Sequence, residues 1–254
     1  MQQQVRVVQG DYDRRSPGWD SLYDGQPATL HDHVLQERLR LALAMVQQYG
    51  PGEGRSLDVG CGAGQLVAAS AGLGYRSYGV DVSVAQTRWA SRRAPGRISQ
   101  ADGTMLPWAD AAFAVVTGLG YLEYLPNLAA GVAELARVVA PGGLVVVSMP
   151  NLLRLPYLAD PVGVLRGRRN PQHRGYPRRY TTRGGLRALL TQAGLRPVSA
   201  VGHGLGPFTL GGRRVLSERQ AIALDRSVPA WLGRFGADLV MAGVRPHDAR
   251  SGTQ

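Results

Sequence analysis

The chain has 254 residues, 44% of them hydrophobic, with 34 glycines and a formal net charge of +11; that length suits one domain, or one domain with an inserted cap, and is ample for a core. No apolar run approaches the roughly 20 residues of a membrane span, MQQQVRVVQGDYDRR at the start lacks a signal peptide's apolar stretch, and the single cysteine, Cys61, excludes an internal disulfide framework, so a cytoplasmic location is the default expectation. All 29 basic residues are arginine, which leaves no lysine for Schiff-base or general-base chemistry; the bias, with abundant Ala, Gly, Leu and Val, reads as the imprint of a GC-rich genome.

Residues 1–29 are polar and aromatic, with Tyr12, Trp19 and Tyr23 among Asp, Arg, Gly and Pro, and read as a loop or short helix. From Leu30 to Tyr49 apolar residues recur at helical spacing, and Gly50-Pro51-Gly52 ends that helix. Short strands and helices then alternate. Strands are expected at 56–59, 75–80, 97–101, 112–117 and 144–149. Helices are expected at 65–73, at 83–93 with Ser83 as cap, and at 127–139. This alternation predicts an α/β protein whose parallel sheet has helices on both faces, with ligands at the carboxyl ends of the strands.

Residues 150–182 break the rhythm. They carry five prolines, arginines at 154, 166, 168, 169, 174, 178 and 179, and a single acid, Asp160. The stretch is too long for an ordinary connection and is expected to be a lid or cap. A helix at 182–193, a strand at 196–202, a glycine-rich flexible stretch at 203–212, a helix at 214–226 and a last strand at 237–244 complete the reading.

The most informative stretch is SLDVGCGAGQL. Gly60, Gly62 and Gly64 let the backbone turn tightly and approach a ligand with no Cβ in the way, and the following helix sets its N-terminus beside the loop. A GxG loop alone is weak, because nicotinamide and flavin folds share it. Here Gln65 stands where a dinucleotide fold places its third glycine, and Asp58 precedes the loop. The second strand ends at Asp81, where an acid can take both ribose hydroxyls. The third ends at Asp102-Gly103, where an acid can accept from an adenine amino group.

With those segments in view, the chain resembles the class I S-adenosylmethionine-dependent methyltransferases of the ubiquinone/menaquinone-biosynthesis type and their small-molecule relatives. The matching segments are LDVGCGAGQ, YGVDVS, ADGTMLPWADAAFAVV, YLEYL and ELARVVAPGGLVVVSMPN, in the family's order, over residues 55–151. The resemblance implies a single domain over 1–254. Its fold would be a three-layer Rossmann-like sandwich with a seven-stranded, mostly parallel sheet whose last strand is antiparallel. An N-terminal segment, 1–49, would cover the cofactor, and 150–182 would form the lid. It implies S-adenosyl-L-methionine as cofactor, with no metal. Asp58, Gly60, Gly62 and Gly64 would line its methionine end, with Cys61 a small neighbour. Asp81 would hold the ribose, Val82 would pack on the adenine, and Asp102 would read the adenine amino group beside Gly103. Gly118 and Leu119 would approach the methionine portion. Two departures stand out: Ala114 where the family often has aspartate, and Tyr124 where it often has histidine. The second leaves the choice of base open.

Candidate bases are His173 in the arginine-rich stretch, His31 and His33 at the first long helix, and Glu123 and Tyr124 after the fourth strand. Glu123 has a second reading as a helix cap or arginine partner. The arginines of 150–182 have three readings: a solvated surface, contact with an acidic substrate group, or docking on an anionic membrane beside Leu152, Leu153 and Leu155. The expected acceptor is a small molecule, acidic or isoprenoid, methylated first of all at oxygen, with carbon or nitrogen close behind, and with peripheral membrane contact if it is lipid-borne. A nucleic-acid methyltransferase would use the basic charge. However, the position where base-amino methylation places an NPPY-like motif reads TGLGYLEY here. A non-catalytic binding protein on the same fold is the other rival.

Overall fold

A computed structural model describes residues 2–15, 23, 25–155, 177–206, 208–210 and 213–247. In chain order the elements are α1 (Gln2–Arg15), α2 (Leu30–Tyr49), β1 (Arg55–Val59), α3 (Gln65–Gly72), β2 (Arg76–Asp81), α4 (Val84–Arg93), β3 (Ile98–Gln100) and β4 (Phe113–Gly118). A 3-10 turn, Leu122–Tyr124, leads to α5 (Leu128–Val138) and β5 (Val139–Pro150). Then come α6 (Arg183–Gln192), β6 (Arg196–His203), the two-residue strands β7 (Thr209–Leu210) and β8 (Arg213–Arg214), α7 (Glu218–Ser227), a 3-10 stretch Ala230–Phe235, and β9 (Asp238–Val244).

The main sheet has seven strands in the order β3-β2-β1-β4-β5-β9-β6. β1 to β5 pair in parallel, and β9 runs antiparallel between β5 and β6. The chain reverses its direction of sheet growth between β1 and β4, and in doubly wound sheets that switch point is where ligands bind. Central strands show both faces buried, as their near-continuous apolar runs require. Alternate residues serve opposite layers. Val115, Leu144, Val146, Val240 and Ala242 pack with Ala42, Met45 and Val46 of α2. Val116, Val145, Val147, Leu239 and Met241 pack with Val132 and Leu135 of α5 and Leu186 and Leu190 of α6. α3 and α4 cover β1 to β3 on the α2 side, with Cys61, Val67 and Ala90 closing that edge.

N-caps start the helices where the sequence suggests. Ser83 accepts from the Gln86 amide, Asn127 from Ala130 and Thr182 from Gly185. Pro141-Gly142-Gly143 forms a bulge inside β5: Phe113 pairs with Val139, and pairing resumes at Val115 with Leu144. Beside it, Arg245 Nη1 donates to the carbonyls of Ala136, Arg137 and Val139 and so closes the end of α5. The helix expected at 214–226 begins later, at Glu218, because Ser217 and Gln220 make a capping box and Arg213–Arg214 pair with β7. Leu205, in the stretch read as flexible, is buried, with its amide donating to Asp225 at 2.7 Å.

The two ends of the 150–182 segment meet. Asn151 bridges to Thr181, and Leu152 N–H donates to the Thr181 carbonyl at 2.8 Å. The interior of that segment, 156–176, lies outside the described residues, and with it His173 and the arginines at 166, 168, 169 and 174; Trp19 lies outside them too. Among the described residues no helix is long and apolar enough to cross a membrane.

Candidate active site

The glycine loop follows from β1 running out at Val59. Gly60, Gly62 and Gly64 all have positive φ (73°, 51° and 84°), a conformation that costs a side-chain-bearing residue strain. The loop is tied to the tip of β2: the amides of Gly60 and Cys61 both donate to the Val80 carbonyl, at 2.8 and 2.9 Å. Asp81, the next residue, takes the Gly62 amide on Oδ2 and the Ser83 amide on Oδ1, each at 2.9 Å. Its carboxylate is thereby held in one orientation by two backbone donors. Burial nevertheless raises its pKa, partly offset by those amides. One strand over, Thr117 Oγ1 donates to Asp58 Oδ1 at 2.7 Å. Burial pushes the Asp58 carboxyl up to about 7, against the Thr117 bond, with Asp81 raising it further. At the tip of β3, Asp102 Oδ1 accepts from the Thr104 amide and hydroxyl at 2.9 and 2.7 Å. Burial also pushes up the Cys61 thiol, away from the thiolate a nucleophile needs.

A second group of charges gathers beyond β4 and β5. Arg38 of α2, 8% exposed, pairs with Asp238 of β9 at 3.4 Å. Gly120, with φ of 65°, makes room for it, since a Cβ there would stand 2.9 Å from Arg38 Nη1. Glu123, 1% exposed, pairs with Arg178 at 3.1 Å. Arg38 lies in the field of both Asp238 and Glu123, and so does Arg178, so the two pairs form one balanced cluster. Glu123 Oε2 and Asp238 Oδ1 are buried with no hydrogen-bond partner among the described residues. Tyr23 and Tyr124 sit against this cluster, and burial raises the pKa of both hydroxyls. His203 lies behind Asp238 at 3.7 Å, and burial, then Arg38, lowers its pKa to about 4.

Both groups line one cavity of about 850 Å³, a volume suited to a small-molecule site. It runs from Gly60, Asp81 and Asp102 to Glu123, Arg178 and Asp238 and is roofed by Val5, Val8 and Tyr12 of α1. Among the described residues, no group of three or more His, Cys, Asp or Glu could hold a metal.

Residues 57–147 match the family described as "Methyltransferase domain". Over that segment the chain carries a methyltransferase domain. A ubiquinone biosynthesis O-methyltransferase of Thiobacillus denitrificans is 36% identical to it over 152 residues, 57% of this chain and 62% of that protein. A 2-methyl-6-phytyl-1,4-hydroquinone methyltransferase of Synechocystis is 31% identical over 135 residues, 49% of this chain and 42% of that protein. The chain thus spans 62% or less of the length of these curated relatives. Among solved structures, magnesium protoporphyrin IX methyltransferase from Synechocystis, with bound SAM, superposes with a TM-score of 0.63 at 16% identity, over 95% of this chain and 97% of that one. At that identity the likeness is one of fold.

Asp58, Gly60, Cys61, Gly62, Asp81, Val82, Asp102, Gly103 and Leu119 line the cavity, as do Glu123, Tyr124 and His31. Three of the residues read from the sequence stand outside the lining. Gly64 caps α3 and lets α4 approach, since a Cβ there would lie 3.0 Å from that of Ala90. Gly118 backs Tyr121 and Leu135. The His33 ring is tied to Asp225 of α7 at 2.9 Å. Glu123 takes its arginine-partner role with Arg178, while Arg179 donates to the carbonyls of Leu125 and Pro126. Arg38, Asp238, Gln86 and Tyr121 were not singled out by sequence reasoning. For Arg38 the signal was present: it falls on the buried stripe of α2 with Leu35 and Ala42, where a charge needs a partner.

Proposed function

We propose that this chain transfers the methyl group of S-adenosylmethionine to an oxygen of a small-molecule acceptor. One observation carries the reading: Asp58, Asp81 and Asp102, from the tips of three neighbouring strands, share a single cavity with the glycine loop and the Glu123–Asp238 cluster. The residues fit such a cofactor. Gly60 and Gly62 of the loop bring backbone to the cavity wall, and a Cβ at Gly103 would strike the Tyr121 hydroxyl at 2.6 Å. Asp81 would take the ribose hydroxyls, Val82 and Leu119 would flank the nucleoside, Asp102 would accept from the adenine amino group, and Asp58 would face the amino-acid end.

When bound, S-adenosylmethionine supplies a methyl group made electrophilic by its sulfonium. The chain's own work is then to place the acceptor oxygen and exclude water, which can contribute roughly 7–11 kcal/mol. Methyl transfer to a hydroxyl would release its proton, which would need a sink. Glu123 Oε2 has the chemistry for it, being a buried carboxylate oxygen on the cavity wall with no protein partner among the described residues. Arg178 holds the other oxygen and fixes the carboxylate. Leu30, Val34, Leu35, Phe208 and Leu216 line the cavity's other flank, which supports an acceptor with an apolar body and a hydroxyl head. The two quinol-pathway relatives support the same acceptor class by their names.

Calorimetry with S-adenosylhomocysteine, followed by labelled-methyl transfer to a panel of phenols, hydroquinones and alcohols, tests the reading. Binding that Asp81→Ala weakens by tenfold or more, and label recovered as a methyl ether, are expected. Absence of binding by the wild type overturns the methyltransferase reading, and label recovered only on carbon or nitrogen overturns the oxygen assignment.

A further inference from the structure

β9 begins with a charge where the rest of the strand is apolar. Asp238 opens the run DLVMAGV, whose first six residues are buried. It stands between two strands, paired with Pro150 at the end of β5 and with His203 at the end of β6, so its backbone is fixed from both sides. On the other side of β5, Glu123 is carried by the 3-10 turn that follows β4. The two carboxylates are held alike. Glu123 Oε1 accepts from Arg178 Nη2 at 3.1 Å, and Asp238 Oδ2 accepts from Arg38 Nη1 at 3.4 Å. The second oxygen of each, Glu123 Oε2 and Asp238 Oδ1, is buried with no hydrogen-bond partner among the described residues. Both residues line the cavity.

Stability does not account for Asp238. Apolar residues in place of a buried ion pair are often neutral or stabilising, and a buried oxygen without a donor destabilises further. A carboxylate oxygen only accepts, so Oδ1 matches a ligand O–H or N–H. It mismatches a carboxylate, a phosphate or a hydrocarbon. The charges agree: Arg178 and Arg38 balance Glu123 and Asp238, and His203 adds none, since burial, then Arg38, lowers its pKa to about 4. In the reading above, Glu123 Oε2 takes the proton of the reacting hydroxyl. Asp238 Oδ1 is then a second acceptor, on a different element of the same cavity, for a donor that is not methylated.

We propose that Asp238 is a specificity-determining residue that binds a second, unmethylated hydrogen-bond donor of the acceptor, so that the chain selects neutral acceptors with two donor groups on an apolar body. This rests on the methyl-transfer reading above. The test is calorimetry on the full chain saturated with S-adenosylhomocysteine. The probes are a hexyl-substituted phenol, the hexyl-substituted catechol, resorcinol, hydroquinone and aminophenols, and the mono-methyl ethers of the diols. At least one two-donor probe is expected to bind about tenfold more tightly than the phenol, and capping its second hydroxyl as the ether should remove that gain. The gain should also vanish in Arg38→Met/Asp238→Leu, which removes the pair without stranding a charge. A merely structural Asp238 would change the phenol and the two-donor probe alike and leave their ratio as in wild type. Binding of none of the probes, a phenol bound as tightly as every two-donor probe, a gain that survives capping, or a gain that survives in the folded double variant would each overturn the assignment. The wild-type comparison decides it even if the double variant does not fold. Failure to bind S-adenosylhomocysteine would sink the cofactor reading itself, whereas its binding without discrimination among the probes sinks this proposal alone.

Discussion

Asp58 is a carboxyl held out of water at the tip of β1, and its ionisation is a property of the folded state. With its pKa raised to about 7 by burial, the folded protein binds a proton that the unfolded chain releases at the ordinary carboxylate pKa. The destabilisation is therefore absent at pH 4, grows as pH rises, and is complete above about pH 7. Its size is on the order of a few kcal/mol. Urea denaturation of unliganded protein is expected to show this contribution as a loss of stability between about pH 4 and 7 that Asp58→Asn removes. Ligand binding runs the other way. A cationic amino group facing Asp58 favours the carboxylate, so affinity for S-adenosylhomocysteine should rise from pH 6 to 8 in the wild type and stay level in Asp58→Asn. Asp58 and its glycines were readable because their spacing follows from the strand-loop-helix geometry. Its elevated pKa was not, because it comes from burial, opposed by Thr117 and Arg38 and reinforced by Asp81, all of which reach it only through the fold.

At the scale of elements, two joints hold the site. The first is α3 against α4. Gly64→Ala forces a positive-φ residue to carry a Cβ and presses it on Ala90 at 3.0 Å. A loss of roughly 1–3 kcal/mol is expected, measurable by denaturant unfolding, with a weaker cofactor site because the loop hangs from the same turn. The second joint is α2 against β9 through Arg38 and Asp238, 9% and 6% exposed in their side chains. Removing one partner strands a buried charge. Arg38→Met is expected to cost about 3–5 kcal/mol, and combining it with Asp238→Leu should recover most of that stability without recovering activity. Equal stability in the single and double variants would show that the pair does not act as a unit. Helical spacing made α2 legible almost to the residue, and Thr29 and Gly50 bound it in the structure. The partner of its one buried arginine was not legible, because 200 residues separate Arg38 from Asp238 and no local pattern marks the pair.

At the scale of the molecule, the cavity is closed by the chain's own beginning. α1 lies over α4 and the 3-10 turn after β4. Gln4 Nε2 donates to the Tyr124 carbonyl at 2.8 Å, Asp13 accepts from the Ser83 hydroxyl and the Ala85 amide, and Tyr12 meets Tyr124 edge-on with ring centroids 5.7 Å apart. These contacts sit at the periphery of the sheet core, so α1 contributes more to the site than to the fold. Removal of residues 1–15 is expected to leave a cooperative denaturation transition while weakening S-adenosylhomocysteine binding by tenfold or more. A collapse of cooperativity would show instead that α1 belongs to the core.

By itself the sequence determined the alternating α/β architecture, the order of its strands and helices, and the glycine loop and strand-tip acids that line the cavity. Each of these is written in local periods: two for a strand, 3.6 for a helix, and fixed offsets for a glycine turn and the acids at strand tips. Only the tertiary structure decided the rest. It turned His33 toward Asp225, left Gly64 and Gly118 behind the wall, and joined Arg38 to Asp238 and Glu123 to Arg178. It also buried the Gln86 amide without a partner among the described residues. The physical reason is that charge balance and desolvation are set by neighbours in space, and those neighbours come from strands and helices far apart in the chain.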